Sequence, residues 1–117
     1  MKVAVIGSRT LNIENLGDYL PSDTTEIVSG GAKGVDTSAK EYAVSHNIEI
    51  TEFLPEYKKY GKKAPLIRDA QIVEYADLVL AFWDGVSPGT KFVIEKCRKK
   101  NVPVKIFKPK SKENSDE

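Results

Sequence analysis

The chain has 117 residues, enough for one compact domain with a hydrophobic core and too few for two. Its 18 Lys and Arg stand against 17 Asp and Glu, and the resulting net charge of +1 excludes the strongly basic field of a protein that lives on nucleic acid. With one cysteine, Cys97, and one histidine, His46, neither an intramolecular disulfide framework nor a thiolate metal cluster can be built, and no metal or cofactor is expected.

In chain order, the opening MKVAVIGSR is too poor in apolar residues for a secretory signal, and its apolar core at residues 3–6 predicts a first strand. Ile13, Leu16 and Leu20 follow at a spacing that lines one face of a helix. A second strand is expected at residues 26–28, and a helix carrying Val35, Ala39, Ala43 and Val44 that stops near Asn47. Residues 48–53 read as a third strand. Beyond Pro65, residues Leu66, Ile67, Ala70, Ile72, Val73 and Ala76 predict another helix. Residues 78–82 form a fourth strand, Phe92, Val93 and Cys97 mark the last helix, and residues 102–107 a fifth strand. Lys96, Arg98, Lys99 and Lys100 complement the negative end of that last helix. Strands alternating with helices predict an α/β fold, a Rossmann-like three-layer sandwich with a mostly parallel five-stranded sheet over residues 1–107. Residues 108–117 are polar and read as a disordered tail. No apolar run approaches the ~18 residues of a membrane span, so a cytoplasmic protein with no membrane contact is expected.

Ligands of open parallel sheets bind beyond the carboxyl ends of the strands, where neighbouring connections diverge. The first strand runs into Gly7, Ser8, Arg9 and Thr10. The second runs into SGGAKGVD, which supplies Ser29, Gly30, Gly31, Lys33, Gly34 and Asp36. The fourth runs into WDGVSPGT, which supplies Trp83, Asp84, Ser87, Gly89 and Thr90. Glycines let a ligand approach the backbone, and the free N–H groups of a helix start attract negative charge. Arg9 adds a bidentate donor. Together these residues point to a phosphate or ribose site for a nucleotide-derived small molecule.

Several of them have a second reading. Glycines after a strand also form plain turns. Asp36 is placed either to hold a ribose hydroxyl or to face the positive end of its own helix. Trp83 is placed either to stack on a base or to pack. Arg68 either reaches a phosphate or pairs with Asp69 or Glu74. Lys58, Lys59, Lys62 and Lys63 read first as a solvated face, Glu95 as an exposed helical charge, and His46 as a partner of helix-end carbonyls. The Lys–Ser/Thr pair of a Walker loop is missing, since Gly34 and Val35 stand in its place.

IGSRT after the first strand, SGGAKGVD after the second, IRD on a helix and FWDGVSPGT after the fourth together resemble the SLOG superfamily, within it the YspA/YpsA-like branch. The likeness covers nearly the whole chain except the tail. The glycine loop is similar to that of DprA, and SPGT to a shortened form of the PGGxGTxxE signature of the LOG phosphoribohydrolases. This resemblance implies a Rossmann-like sheet, a site for a nucleotide or nucleotide-derived ligand, and homo-oligomers; the convergent loops, with Val93 where the LOG catalytic glutamate would stand, point to binding by a sensor or sequestering module. It implies two alternatives: an N-glycosidic nucleotide hydrolase, and single-stranded DNA binding, which the near-neutral charge disfavours. The LOG catalytic glutamate would fall on Val93, so a hydrolase would need another carboxylate. Arg68 matches a LOG arginine ahead of an Ala-Asp pair, here Ala76 and Asp77, and Arg68 with Asp84 is then the expected catalytic pair.

Overall fold

The computed structural model describes residues 1–31 and 34–108. Five strands, β1 (Lys2–Gly7), β2 (Glu26–Ser29), β3 (Glu49–Glu52), β4 (Leu78–Phe82) and β5 (Val104–Phe107), form one sheet in the order β3-β2-β1-β4-β5. Every pairing is parallel, so the expected α/β Rossmann-like sandwich is the observed one, with a sheet that is wholly rather than mostly parallel. Helices α1 (Val35–Ser45), α3 (Ala64–Tyr75) and α4 (Pro88–Lys100) cover it, and α2 (Tyr57–Tyr60) is a single turn ahead of α3.

The two-residue period of β1 explains the layers. Val3 and Val5 join Ile27, Leu80 and Phe82 under Val35, Ala39 and Ala43 of α1. Ala4 and Ile6 join Val28, Val79 and Ala81 under Ile72 and Val73 of α3 and Val93, Ile94 and Cys97 of α4. Both faces are covered, and the central strands therefore read as unbroken apolar runs. Cys97 is fully buried, and desolvation pushes its thiol up to about 11, so it is a packing residue and not a nucleophile. At the amino end of the sheet the buried Glu26 accepts hydrogen bonds from Thr51 Oγ1 and Tyr75 Oη, both at 2.6 Å, which ties β2 to β3 and α3.

Between β1 and β2 the helix expected from Ile13, Leu16 and Leu20 does not form; only a 3-10 turn, Leu16–Asp18, is present. Ile13 and Leu16 are nevertheless buried against the α1 face of the sheet, with Leu20 partly so. Asn12, Asn15, Gly17 and Asp18 are weak helix residues. The Asn15 side chain donates to Asp18 instead, and the Ile13 N–H donates to Ser38 Oγ at 3.0 Å. The spacing recorded burial correctly and secondary structure wrongly. Val44 and Leu66, part of the apolar spacing that predicts α1 and α3, are exposed. The fifth strand starts at Val104, after Pro103, whose carbonyl still accepts the Val79 N–H. Tail residues 109–117 lie outside the described residues.

Candidate functional site

Only between β1 and β4 does the chain reverse its direction of winding: β2 and β3 lie on one side of β1, and β4 and β5 on the other. Such a switch point leaves a crevice at the carboxyl ends of the strands. Here it is a cleft of about 400 Å³, within the usual range for small-molecule sites. The end of β1 contributes Ile6, Gly7, Ser8, Arg9 and Thr10; the segment after β2 contributes Gly30 and Asp36. Pro65, Leu66, Arg68, Asp69 and Ile72 come from α3, and Ser87, Pro88, Gly89, Thr90 and Val93 from the start of α4.

The start of α4 is shaped for an anion. Its first ladder bond is the Lys91 N–H donating to the Ser87 carbonyl at 3.2 Å. Pro88 has no N–H, so the Gly89 and Thr90 N–H groups are the ones without an acceptor inside the helix. Gly89 has open space where a Cβ would stand. The loop ahead of it is held by Asp84, whose Oδ1 accepts the Val86 and Ser87 N–H groups at 2.9 and 2.8 Å and whose Oδ2 accepts Ser87 Oγ–H at 2.8 Å. The Asp84 N–H donates in turn to Ser8 Oγ at 3.2 Å, which locks this loop to the end of β1.

Those bonds, from Val86 and Ser87 above all, hold the Asp84 carboxyl down at about 2. It is an ionised loop anchor that does not line the cleft, which removes the geometric basis for using it as a catalytic acid. Asp84→Ala is expected to accelerate amide exchange at Val86 and Ser87. Wild type should follow as pH falls from 3.8, the ordinary value, through about 2, because the anchoring charge is lost on protonation. Unchanged exchange at both amides would show that the loop is held by other contacts.

Trp83 is also placed away from the cleft. Its Nε1–H donates to the Ser87 carbonyl at 3.0 Å and its ring is half-buried beside the α4 core, so it takes the packing role. Ser29 is buried, and its Oγ accepts the Gly31 N–H at 3.2 Å. Gly31 has φ 72° and Leu54 stands where its Cβ would be; Gly34 has φ 77° and lies against the Arg9 backbone. Ser29, Gly31 and Gly34 thus shape the glycine loop without lining the cleft, while Lys33 lies outside the described residues. Of the other expected residues, Gly7, Ser8, Arg9, Gly30, Asp36, Ser87, Gly89 and Thr90 come together around the cleft, as does Arg68. Lys58, Lys59, Lys62, Lys63 and Glu95 are exposed, as a solvated surface requires. His46 stacks on Tyr42, with Nδ1 3.0 Å from the Tyr42 carbonyl at the end of α1.

Arg68 combines its two sequence readings. Its Nε–H donates to Asp69 Oδ1 at 2.7 Å, and one Nη1–H crosses to the Gly30 carbonyl at 2.6 Å, so it clasps α3 to the glycine loop from inside the cleft. Asp69 is the residue that sequence reasoning missed as a site residue, having been considered only as a surface partner for Arg68. Both side chains are shielded, Arg68 at 11% exposure and Asp69 at 14%. Burial raises the Asp69 carboxyl from 3.8 to about 6, against the pull of Arg68 and with a further push from Asp36. The signal in the sequence was faint: an acidic residue on the apolar side of α3 directly after the arginine of IRD.

No family model, curated protein or solved structure matches the chain. Among the described residues, no helix is long and apolar enough to cross a membrane.

Proposed function

We propose that the chain binds a nucleotide-derived ligand at the carboxyl edge of its sheet, as a sensor or sequestering module. The observation that supports this is a single cleft at the switch point with two chemistries side by side. Arg9 and the Gly89 and Thr90 N–H groups offer positive charge and donors for a phosphate. Ile6, Pro65, Leu66, Ile72 and Val93 offer an apolar wall for a base. The motifs that resemble the SLOG superfamily meet at the same cleft.

Calorimetry against nucleoside monophosphates and ADP-ribose tests the reading. Wild type is expected to bind at least one of them, and Arg9→Ala to bind it about tenfold more weakly, the loss of a charge-assisted contact at an exposed rim. Binding of none, or equal binding by the variant, would overturn it. One observation favours a second reading, N-glycosidic hydrolysis of a nucleotide: two carboxyl groups, Asp36 and Asp69, line the cleft where neither Val93 nor Asp84 supplies one. Chromatography of the incubated ligand separates the two readings, because only hydrolysis releases free base.

A further inference from the structure

We propose that Asp69 is a positioning residue that couples occupation of the cleft by an anion to uptake of one proton from solution. The inference rests on reading the cleft as an anion site, not on which nucleotide fills it. Arg68 lines the cleft and carries five N–H groups; among the described residues one is given to Asp69 and one to the Gly30 carbonyl. While Asp69 is ionised, the charge of Arg68 is matched by a carboxylate 2.7 Å away, in a place where solvent screens little. An entering anion then meets Asp69 and Asp36 together. Protonating Asp69 removes one of these negative charges and frees the guanidinium charge for the anion, while the second carboxyl oxygen gains an O–H.

The charged neighbours act on Asp69 in opposite directions, and burial, which raises it, is the largest influence. Arg68 on the same helix is the attraction that keeps Asp69 ionised; Asp36, facing it from α1, opposes this. Arg9 lines the cleft from the end of β1, and the start of α4 presents no charged side chain to it. Lys33 of the glycine loop lies outside the described residues. A carboxyl already lifted to about 6 takes up a proton near neutrality at little cost, whereas one at 3.8 would resist. An anion beside it pushes the same equilibrium further toward the acid.

The test uses sulfate and ADP-ribose, because a phosphomonoester titrates at about 6 itself and would mimic the effect. Calorimetry in two buffers of different ionisation enthalpy counts protons, and a series from about pH 5.5 to about pH 7.5 gives affinity. Wild type is expected to take up between about half and one proton per bound anion near neutrality and to lose affinity about tenfold across the series. Asp69→Asn, which keeps an oxygen for the Arg68 Nε–H, is expected to bind with no proton uptake and a flat profile. Arg68→Lys should keep the fold and the slope while binding more weakly at each pH.

Binding of ADP-ribose by wild type with a flat profile and no proton uptake would overturn the coupling and leave the nucleotide reading intact. A slope retained in Asp69→Asn would also overturn it, by moving the proton to another group. Sulfate bound with proton uptake but ADP-ribose not bound would support the coupling and leave the nucleotide reading to the nucleoside monophosphates of its own panel. Failure of both probes to bind at any pH would overturn the coupling.

Discussion

Gly7→Ala is expected to destabilise the protein by about 3 kcal/mol, through overpacking and the loss of a backbone hydrogen bond. Gly7 ends β1 beside Phe82 of β4, and the next residue, Ser8, donates its N–H to the Phe82 carbonyl at 3.0 Å. A Cβ on Gly7 would stand 2.5 Å from that carbonyl oxygen and 2.7 Å from Val35 Cγ2, the first residue of α1. Neither neighbour is the loose end of a flexible chain. Either α1 lifts from the sheet or the β1–β4 ladder opens at the end that forms the cleft. With about 5–15 kcal/mol typical of a domain's whole stability, this loss is large, and it should lower the urea midpoint clearly. Gly89→Ala is the control: nothing lies within 4 Å of its Cβ position, and it is expected to change stability by no more than about 1 kcal/mol. Equal midpoints for Gly7→Ala and wild type would mean that α1 is not held as closely to β1 as the structure has it.

The contrast between these two glycines also shows where the sequence was legible. IGSRT announced a strand that ends in a turn, but only the packed structure shows that the glycine there is demanded by a carbonyl on β4, 75 residues away in the chain. Strand order was out of reach for the same reason. Two-sided burial of β1 and β4 could be read from their unbroken apolar runs; the placing of β4 beside β1, which creates the cleft, could not. The convergence of three loops followed from the alternation of strands and helices, and most of the expected residues meet there. Three of the exceptions share a cause. Asp84, Trp83 and Ser29 carry side chains that could serve a ligand, and each is turned to a neighbouring backbone group that needs a partner: Val86 and Ser87 N–H, the Ser87 carbonyl, and Gly31 N–H. Loop chemistry of this kind looks the same in a sequence whether it serves the loop or a ligand.

Asp69→Asn is expected to make the protein more stable at pH 7 by about 2 kcal/mol. Raising a carboxyl from 3.8 in the unfolded chain to about 6 in the fold penalises the ionised folded state by about 1.4 kcal/mol per pH unit, which sets a ceiling near 3 kcal/mol. The 14% exposure of the side chain lets solvent relieve part of it. The sign follows from the proton count. Below 3.8 the group is protonated in both states and costs nothing; as pH rises toward about 6 the unfolded chain releases its proton first, and the fold loses stability until both states are ionised. An asparagine stays neutral throughout and can still accept the Arg68 Nε–H, so variant and wild type should coincide in acid, separate between about pH 4 and about pH 6, and stay separated above. Urea denaturation at three pH values across that window measures the gap directly. A variant no more stable than wild type at pH 7, or a gap of the same size in acid, would mean that Arg68 already compensates the buried charge in full. A gap that opens with pH would instead show that the carboxylate is kept in the cleft at a cost to the fold, as residues serving a ligand often are.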